Sequence, residues 1–410
     1  MRNRTRTKVR ILLTSLAGLV VLLGLCQLAR AKKPAPPPPP EASYHLVLIG
    51  QPVGQITNSG RVLAGSSLIE PALDGDGNPV WDSDGDGIAD SYTPFPLTLG
   101  GYLEAEACSV NEELGAVVGC AKGSSGYVQP VLWTNIWSVN GDGTVGTLVD
   151  LGGSHGAQEG IATDINSQGQ VVVREGGREH PWSPWGMGLV LVVPEDTDAD
   201  GAPDTWFEDI DADGNNDLMI DLEGTSPGGS IYASLRINEL GQITGVSNLT
   251  DRGFVVLPED GVWFKDVNGD SHNDLQINLG SGSMANDISD GGRIVGKLKE
   301  GRKRYLAQWQ IDQQGQVNLI VKESAGRGGG SFDAINENAQ VVGTFKEAIL
   351  WENGEILSLI ELLDNPENAD ILRPGSINDS GTIAGTSCWY DRSVKMIRCY
   401  EGFIAVPIEQ

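Results

Sequence analysis

The sequence predicts an all-β protein, a β-propeller of seven blades carrying acidic loop insertions, and three observations lead there. The first is a pattern, I-N-x-x-G-x-[VI]-x-G, that reads INSQGQVVV from Ile165, INELGQITG from Ile237, ISDGGRIVG from Ile288, INENAQVVG from Ile335 and INDSGTIAG from Ile377. Looser copies, ITNSGRVLAG from Ile56 and VNEELGAVVG from Val110, make seven, spaced 42 to 72 residues apart. Self-similarity at that period marks stacked supersecondary units or propeller blades. The second is period-2 alternation after each turn, which puts Val171, Ile243, Ile294, Val341 and Ile383 at one offset, as a strand with one buried face requires. The third is composition: 55 glycines, sparse lysine and many short apolar runs speak for all-β structure. A domain running from Tyr44 to Gln410 without a linker is unusual outside barrels and propellers. Radial repetition also protects strand edges. The two loose copies leave six or eight blades as alternatives.

Within one copy, Asn followed by Gly is turn chemistry, because Asn tolerates the left-handed region and Gly adopts it without steric cost. A Trp follows in six copies (Trp81, Trp133, Trp182, Trp263, Trp309, Trp351), often in an apolar run such as PVLW or AILW. A short strand then closes the unit, as in LVDLGG or LQINLG. The plainest role for the recurrent Asn and Trp is structural. YHLVLIG at the start (44–50) has a strand pattern but no turn copy before it, and GFIA near the end takes the place of a Trp strand. The two termini are therefore expected to complete one blade together.

The N-terminus reads as an export signal. Arg2, Arg4, Arg6, Lys8 and Arg10 precede the apolar run ILLTSLAGLVVLLGLCQLA, and Ala29-Arg30-Ala31 offers a cleavage site. An uncleaved anchor is the alternative. KKPAPPPPPEAS (32–43) is a stiff polyproline spacer. Removing residues 1–31 takes away six basic residues and no acids, so the net charge moves from −27 to −33. Such a surface repels nucleic acid and anionic lipid and attracts cations; no membrane span is expected after cleavage. The one basic knot, KLKEGRKR (297–304), reads as a solvated hairpin turn. Cys108, Cys120, Cys388 and Cys399 remain, and in an oxidising compartment the simplest of three pairings is Cys108–Cys120 with Cys388–Cys399. A zinc site is disfavoured, since there is no Cys-x-x-Cys and the four histidines lack ligand spacing.

Acidic stretches of a second kind interrupt the repeats. DSDGDGIAD supplies Asp82, Asp84, Asp86 and Asp90; DTDADGAPD supplies Asp196, Asp198, Asp200 and Asp204. DIDADGNND supplies Asp209, Asp211, Asp213 and Asp217; DVNGDSHND supplies Asp266, Asn268, Asp270 and Asp274. A weaker run, DGDGN, spans Asp74 to Asn78. Hard cations such as Ca²⁺ take six to eight oxygens, and a tight loop presents them from positions 1, 3, 5 and 9. Gly87, Gly201 and Gly214 permit the sharp turn, whereas the last loop has Ser271 there. Without a cation each carboxylate pair costs on the order of 1 kcal/mol. These are not full EF-hands, since position 12 holds Thr93, Phe207, Ile220 and Ile277 instead of Glu. Sharing of ligands within the tandem pair at Asp196 and Asp209, or water, must complete the shell, with affinity near ~10⁻⁴ to 10⁻³ M.

The recurrent INxxGxVVG, AxLW and GGS turns (GGSHGAQEGIATDIN, GGGSFDAINENAQVVG) resemble the HAF-repeat extracellular proteins of bacteria over residues 44–410. That resemblance implies a propeller and export. The acidic loops look like those of thrombospondin type 3 and dockerin repeats, less the acid at position 12. No GxSxG, HExxH or Walker A motif is present, and Ser154-His155 lies in a turn. The expected function is a secreted calcium-binding propeller that meets a glycan or a cell-surface protein. The alternatives are a polysaccharide-active enzyme on the same scaffold and a structural envelope component.

Overall fold

The computed structural model describes residues 43–408 apart from 154–158, 177–186, 223–233, 248–251, 271, 327, 367–370 and 392–395. Residues 1–31, read as an export signal, most of residues 32–43, Ser154-His155, Trp182 and Ser271 therefore lie outside the described residues. Seven antiparallel sheets follow one another along the chain, and every one but the last takes its strands in sequence order. They are blade 1 (55–96), blade 2 (104–150), blade 3 (159–221), blade 4 (236–281), blade 5 (283–324), blade 6 (330–358) and blade 7 (371–407 with 44–49). Each blade has four strands, first to fourth from the axis outward, and blade 1 adds a short ribbon at Pro79–Val80. This is a seven-bladed β-propeller.

The termini close the ring as the sequence predicts. Tyr44–Ile49 is the fourth strand of blade 7, pairing antiparallel with Met396–Pro407 from Tyr44 opposite Pro407 to Ile49 opposite Gly402. Leu46, Val47 and Ile49 are fully buried there. Seven apolar clusters hold the ring together, and each joins residues of neighbouring blades or of blade and loop.

The repeated motif is a device for joining blades. Asn238 receives the N–H groups of Leu240 and Gln242 at its Oδ1 and so fixes its own turn. Its Nδ2 donates to the Ser289 carbonyl of blade 5 at 2.9 Å. Asn166, Asn336 and Asn378 reach the next blade's carbonyl in the same way, at Asn238, Asn378 and Thr57. A buried amide left without these partners costs about 1–3 kcal/mol, which is why Asn recurs. The third residue of the motif adds a second tie: the N–H groups of Glu239, Asp290 and Glu337 donate to Asp290, Glu337 and Asp379 of the following blade.

The last Gly of the motif answers to a bulge. In the five blades with a long first strand, one extra residue there (Cys108, Thr163, Asn286, Asp333 or Gly375) breaks the register. A Cβ on Gly343 would stand 2.1 Å from the Ser331 carbonyl oxygen across that bulge, and one on Gly119 would stand 2.1 Å from that of Glu106. Only glycine fits so close a backbone approach. At the turn itself blade 6 has Ala339, with φ at +62°, in the place of glycine.

The bulge also corrects one expectation. Cys388 and Cys399 face each other across two strands and form a disulfide. Cys108 and Cys120 do not: Cys108 is the bulged residue, so the partner opposite Cys120 is Glu106, and both thiols are free. Burial pushes the Cys108 thiol up to about 12, with Cys120 and Glu106 adding to the effect. The tryptophans need correction too. Trp133, Trp309 and Trp351 sit in third strands, but Trp81 and Trp263 lie in the connections that follow them. In blade 3 the buried ring is Trp206, which donates to the Gly169 carbonyl as Trp263 does to that of Gly241.

Candidate functional site

Antiparallel order places the connections between first and second strands, and between third and fourth, on one face. The other connections leave on the opposite face. All four acidic loops join third to fourth strands, in blades 1, 3 and 4, and so share a face with the Asn turns.

The loops repeat one internal hydrogen-bond pattern. At position 1 both oxygens take backbone N–H groups: Asp82 from Gly85 and Gly87, each at 2.7 Å, Asp196 from Asp200 and Gly201, Asp209 from Asp213 and Gly214. Asp266 receives Gly269 and Asp270. At position 3 Asp84, Asp198, Asp211 and Asn268 each accept the N–H two residues on. Asp86, Asp200, Asp213 and Asp270 do likewise at position 5. At position 9 the acid reaches back to position 2: Asp90 to Ser83, Asp204 to Thr197, Asp217 to Ile210 and Asp274 to Val267. The chain therefore curls around its carboxylates. Position 4 takes positive φ even as Ala199 and Ala212, at 59° and 60°.

The result is a gathering of oxygens. Asp82, Asp84 and Asp86 bring one oxygen each within 4.8 Å of the others, as do Asp196, Asp198 and Asp204, and Asp209, Asp211 and Asp217. Each of these sets lies within a single loop. The fourth loop shares the backbone pattern but carries Asn268 at position 3. Asp74 is different. It accepts the N–H groups of Asp76 and Asn78 within a two-strand hairpin, as Asp142 and Asp312 do in theirs, and gathers no second acid.

Three loops also grip the preceding blade. Asn216, at position 8 of its loop, donates to the carbonyls of Leu151 at the end of blade 2 and of its own Trp206, both at 2.8 Å. Asn273 does the same with Leu222 and Trp263. In the first loop the Gly87 carbonyl accepts Leu48 N–H, and Asp82 lies 3.2 Å from His45 Nε2, both on the closing strand. The Asp82 side chain is only 2% exposed. Burial raises its pKa, but the bonds from Gly87, His45, Gly85 and Asp84 outweigh that and hold it down at about 2. Sequence reasoning missed Asn216 and Asn273; their signal was an Asn before the ninth-position Asp in two loops.

Several solved structures are similar to this chain. The β-propeller domain of Myceliophteria thermophila Cps50 (Swd1) matches with 10% identity and a TM-score of 0.40, over 89% of this chain and 96% of that one. Virginiamycin B lyase from Staphylococcus aureus matches with 12% identity and a TM-score of 0.35, over 90% and 100%. TolB from Acinetobacter baumannii matches with 10% identity and a TM-score of 0.34, over 68% of this chain and 56% of that one. No family model and no curated protein matches. The fold rests on the chain's own strand order, and the likenesses carry nothing about activity.

A second constellation, also missed, lines the axis. The residue before the first residue of each motif copy lines a channel cavity of about 250 Å³: Gln55, Ser109, Asp164, Arg236, Asp287, Ala334 and Ser376. Asp164 accepts Ser109 Oγ at 2.6 Å and Ile237 N–H at 2.9 Å; Asp287 accepts Ile335 N–H at 2.9 Å. Arg236 Nε stands 3.9 Å from Asp287. Burial raises the carboxyls of Asp287 and Asp333 to about 6 each, against the opposing pull of Arg236 on the first and of Ser331, Lys297 and Arg373 on the second. The signal for Asp164 and Asp287 was their place immediately before the motif, whereas Asp333 stands one residue further back, at the bulge.

Proposed function

We propose that this chain is an exported, calcium-binding propeller that acts as a binding or surface-interaction protein, its ligand a glycan or a cell-surface protein. Carboxylate oxygens gathered within 4.8 Å in three separate loops are the observation that carries the reading. Backbone N–H groups curl each of these loops around its carboxylates, whose oxygens converge in the manner that oxygen coordination of Ca²⁺ calls for. Bound Ca²⁺ would cancel the repulsion inside each loop and stiffen the clasp between blades. Its role here is to order the rim for a partner, not to take part in a reaction. Export is supported by the basic and apolar composition of residues 1–31.

The test is a count of bound Ca²⁺ by equilibrium dialysis, with a glycan array run in Ca²⁺ and in chelator. Replacing Asp196, Asp198 and Asp200 by Asn should lower the count by one ion and leave the fold intact. A wild-type count of zero would sink the metal reading. A second reading, a polysaccharide-active enzyme, draws on the axial carboxyls with raised pKa, since a carboxyl poised near 6 suits general acid work. Release of reducing ends from bound glycan, abolished by Asp287→Asn, would move the assignment there.

A further inference from the structure

The basic knot at 297–304 forms a hairpin, as expected, and its flanks border a concavity. Lys297, Lys299 and Arg304 of blade 5 line a cavity of about 980 Å³, together with Lys346 of blade 6 and Arg373 of blade 7. It opens on the face opposite the acidic loops, where second strands turn into third strands and each blade leads into the next. We propose that this mouth binds a small organic polyanion, a short chain bearing several carboxylate or phosphate groups, held by these five cations. The proposal does not rest on the metal reading.

Charge statistics are the first support. The chain has 55 acidic and 28 basic residues, yet among the described residues this concavity is lined by five cations and two acids, Asp333 and Glu347. Outside the cavity five of the described cations are paired, Arg61 with Glu70 and Glu112, Lys122 with Glu104, Arg236 with Asp287, Lys265 with Glu259 and Lys322 with Glu300, while Arg174, Arg252, Arg293, Arg302 and Lys303 are spread singly or at the exposed hairpin tip. Among the described residues none of the five cavity cations makes an ion pair. Cations held in one concavity repel one another, and a protein this rich in acids had partners to spare.

Shape is the second. Arg304 lies over Gly329, where a Cβ would come 2.9 Å from its Nη1, so the missing side chain leaves room for the guanidinium. Arg304 and Arg373 are exposed and offer planar forks suited to two oxyanions, and the lysines add point charges between them. Ile371 and Ile397, 38% and 45% exposed, give a carbon skeleton an apolar wall. The volume matches small-molecule pockets and exceeds what one inorganic ion fills. No aromatic ring is among the described lining residues, so charge rather than stacking would select the ligand.

A uronate oligosaccharide and a polyphosphate both carry that chemistry, and calorimetry in calcium-free buffer separates them. The probes are trigalacturonate, tripolyphosphate and neutral maltotriose. One or both trianions should bind and maltotriose should not; the tighter trianion identifies the source. Arg304→Ala and Arg373→Ala should each weaken binding about tenfold, with an unchanged melt because both side chains are exposed. Lys122→Ala, which removes a charge from blade 2, should change nothing. Failure of both trianions to bind, equal binding of maltotriose, indifference to the arginine variants, or an equal loss in the lysine variant would each overturn the proposal.

Discussion

Blades 1, 3 and 4 differ from blades 5 to 7 in where they place charge. The first group inserts nine-residue acidic loops between third and fourth strands, on the face of the Asn turns. Blades 5 and 6 make that connection with short turns, Asp312–Gln316 and Asn353–Gly354, blade 7 takes its fourth strand from Tyr44–Ile49 instead, and these three blades carry cations at the opposite mouth. The scaffold is the same, and so are the ties between blades. A propeller thus separates two tasks: rim loops that clasp one blade to the next, and a mouth whose residues do little for folding.

That contrast gives its own tests. Deleting residues 43–49 removes the strand that closes blade 7 and should abolish the cooperative melt, whichever side carries more stability. An intact melt would mean the ring does not depend on closure. Next in size, Asn216→Ala or Asn273→Ala leaves two buried carbonyls without donors and should cost about 2–3 kcal/mol by denaturant titration. Arg373→Ala at the mouth should stay within about 0.5 kcal/mol. Equal losses would erase the division of labour.

Asp333 at the floor of the mouth supplies a pH test. Its folded pKa, about 6, lies above the ordinary 3.8, so the folded state holds the proton more tightly. Its contribution to stability is complete below about pH 3.8 and is lost as pH rises through 6. Asp333→Asn should therefore stabilise the protein by up to about 3 kcal/mol at pH 7.5, with the gain shrinking toward pH 4. A pH-independent difference would place the carboxyl in water. Smallest of all, Asp74→Asn should change neither the bound-ion count nor stability by more than about 0.5 kcal/mol, because Asp74 caps a hairpin and nothing else.

Much of the fold was legible because its signals are local. Asn and Gly in a turn, alternation beyond it and acids at every second position are read within nine residues. Ring closure was legible from an unmatched strand at each end. What stayed hidden depends on register or on distance along the chain. The bulge at Cys108 is a backbone feature, and it turns a plausible disulfide into two free thiols. Trp206 fills the place expected for the blade's tryptophan because a long connection carries it there. Arg304 and Arg373 line one cavity only because blades 5 and 7 flank blade 6, so that cavity has no trace in any single stretch.

The central claim is that the acidic loops hold Ca²⁺ and thereby fasten the blades. Thermal melting in 10 mM Ca²⁺ and in EGTA tests it most directly. At a hundredfold excess over the dissociation constant each site should add about 2.7 kcal/mol, so the midpoint should fall clearly on chelation. Asp209→Asn with Asp211→Asn should lose part of that difference. Identical midpoints in calcium and chelator would contradict the account.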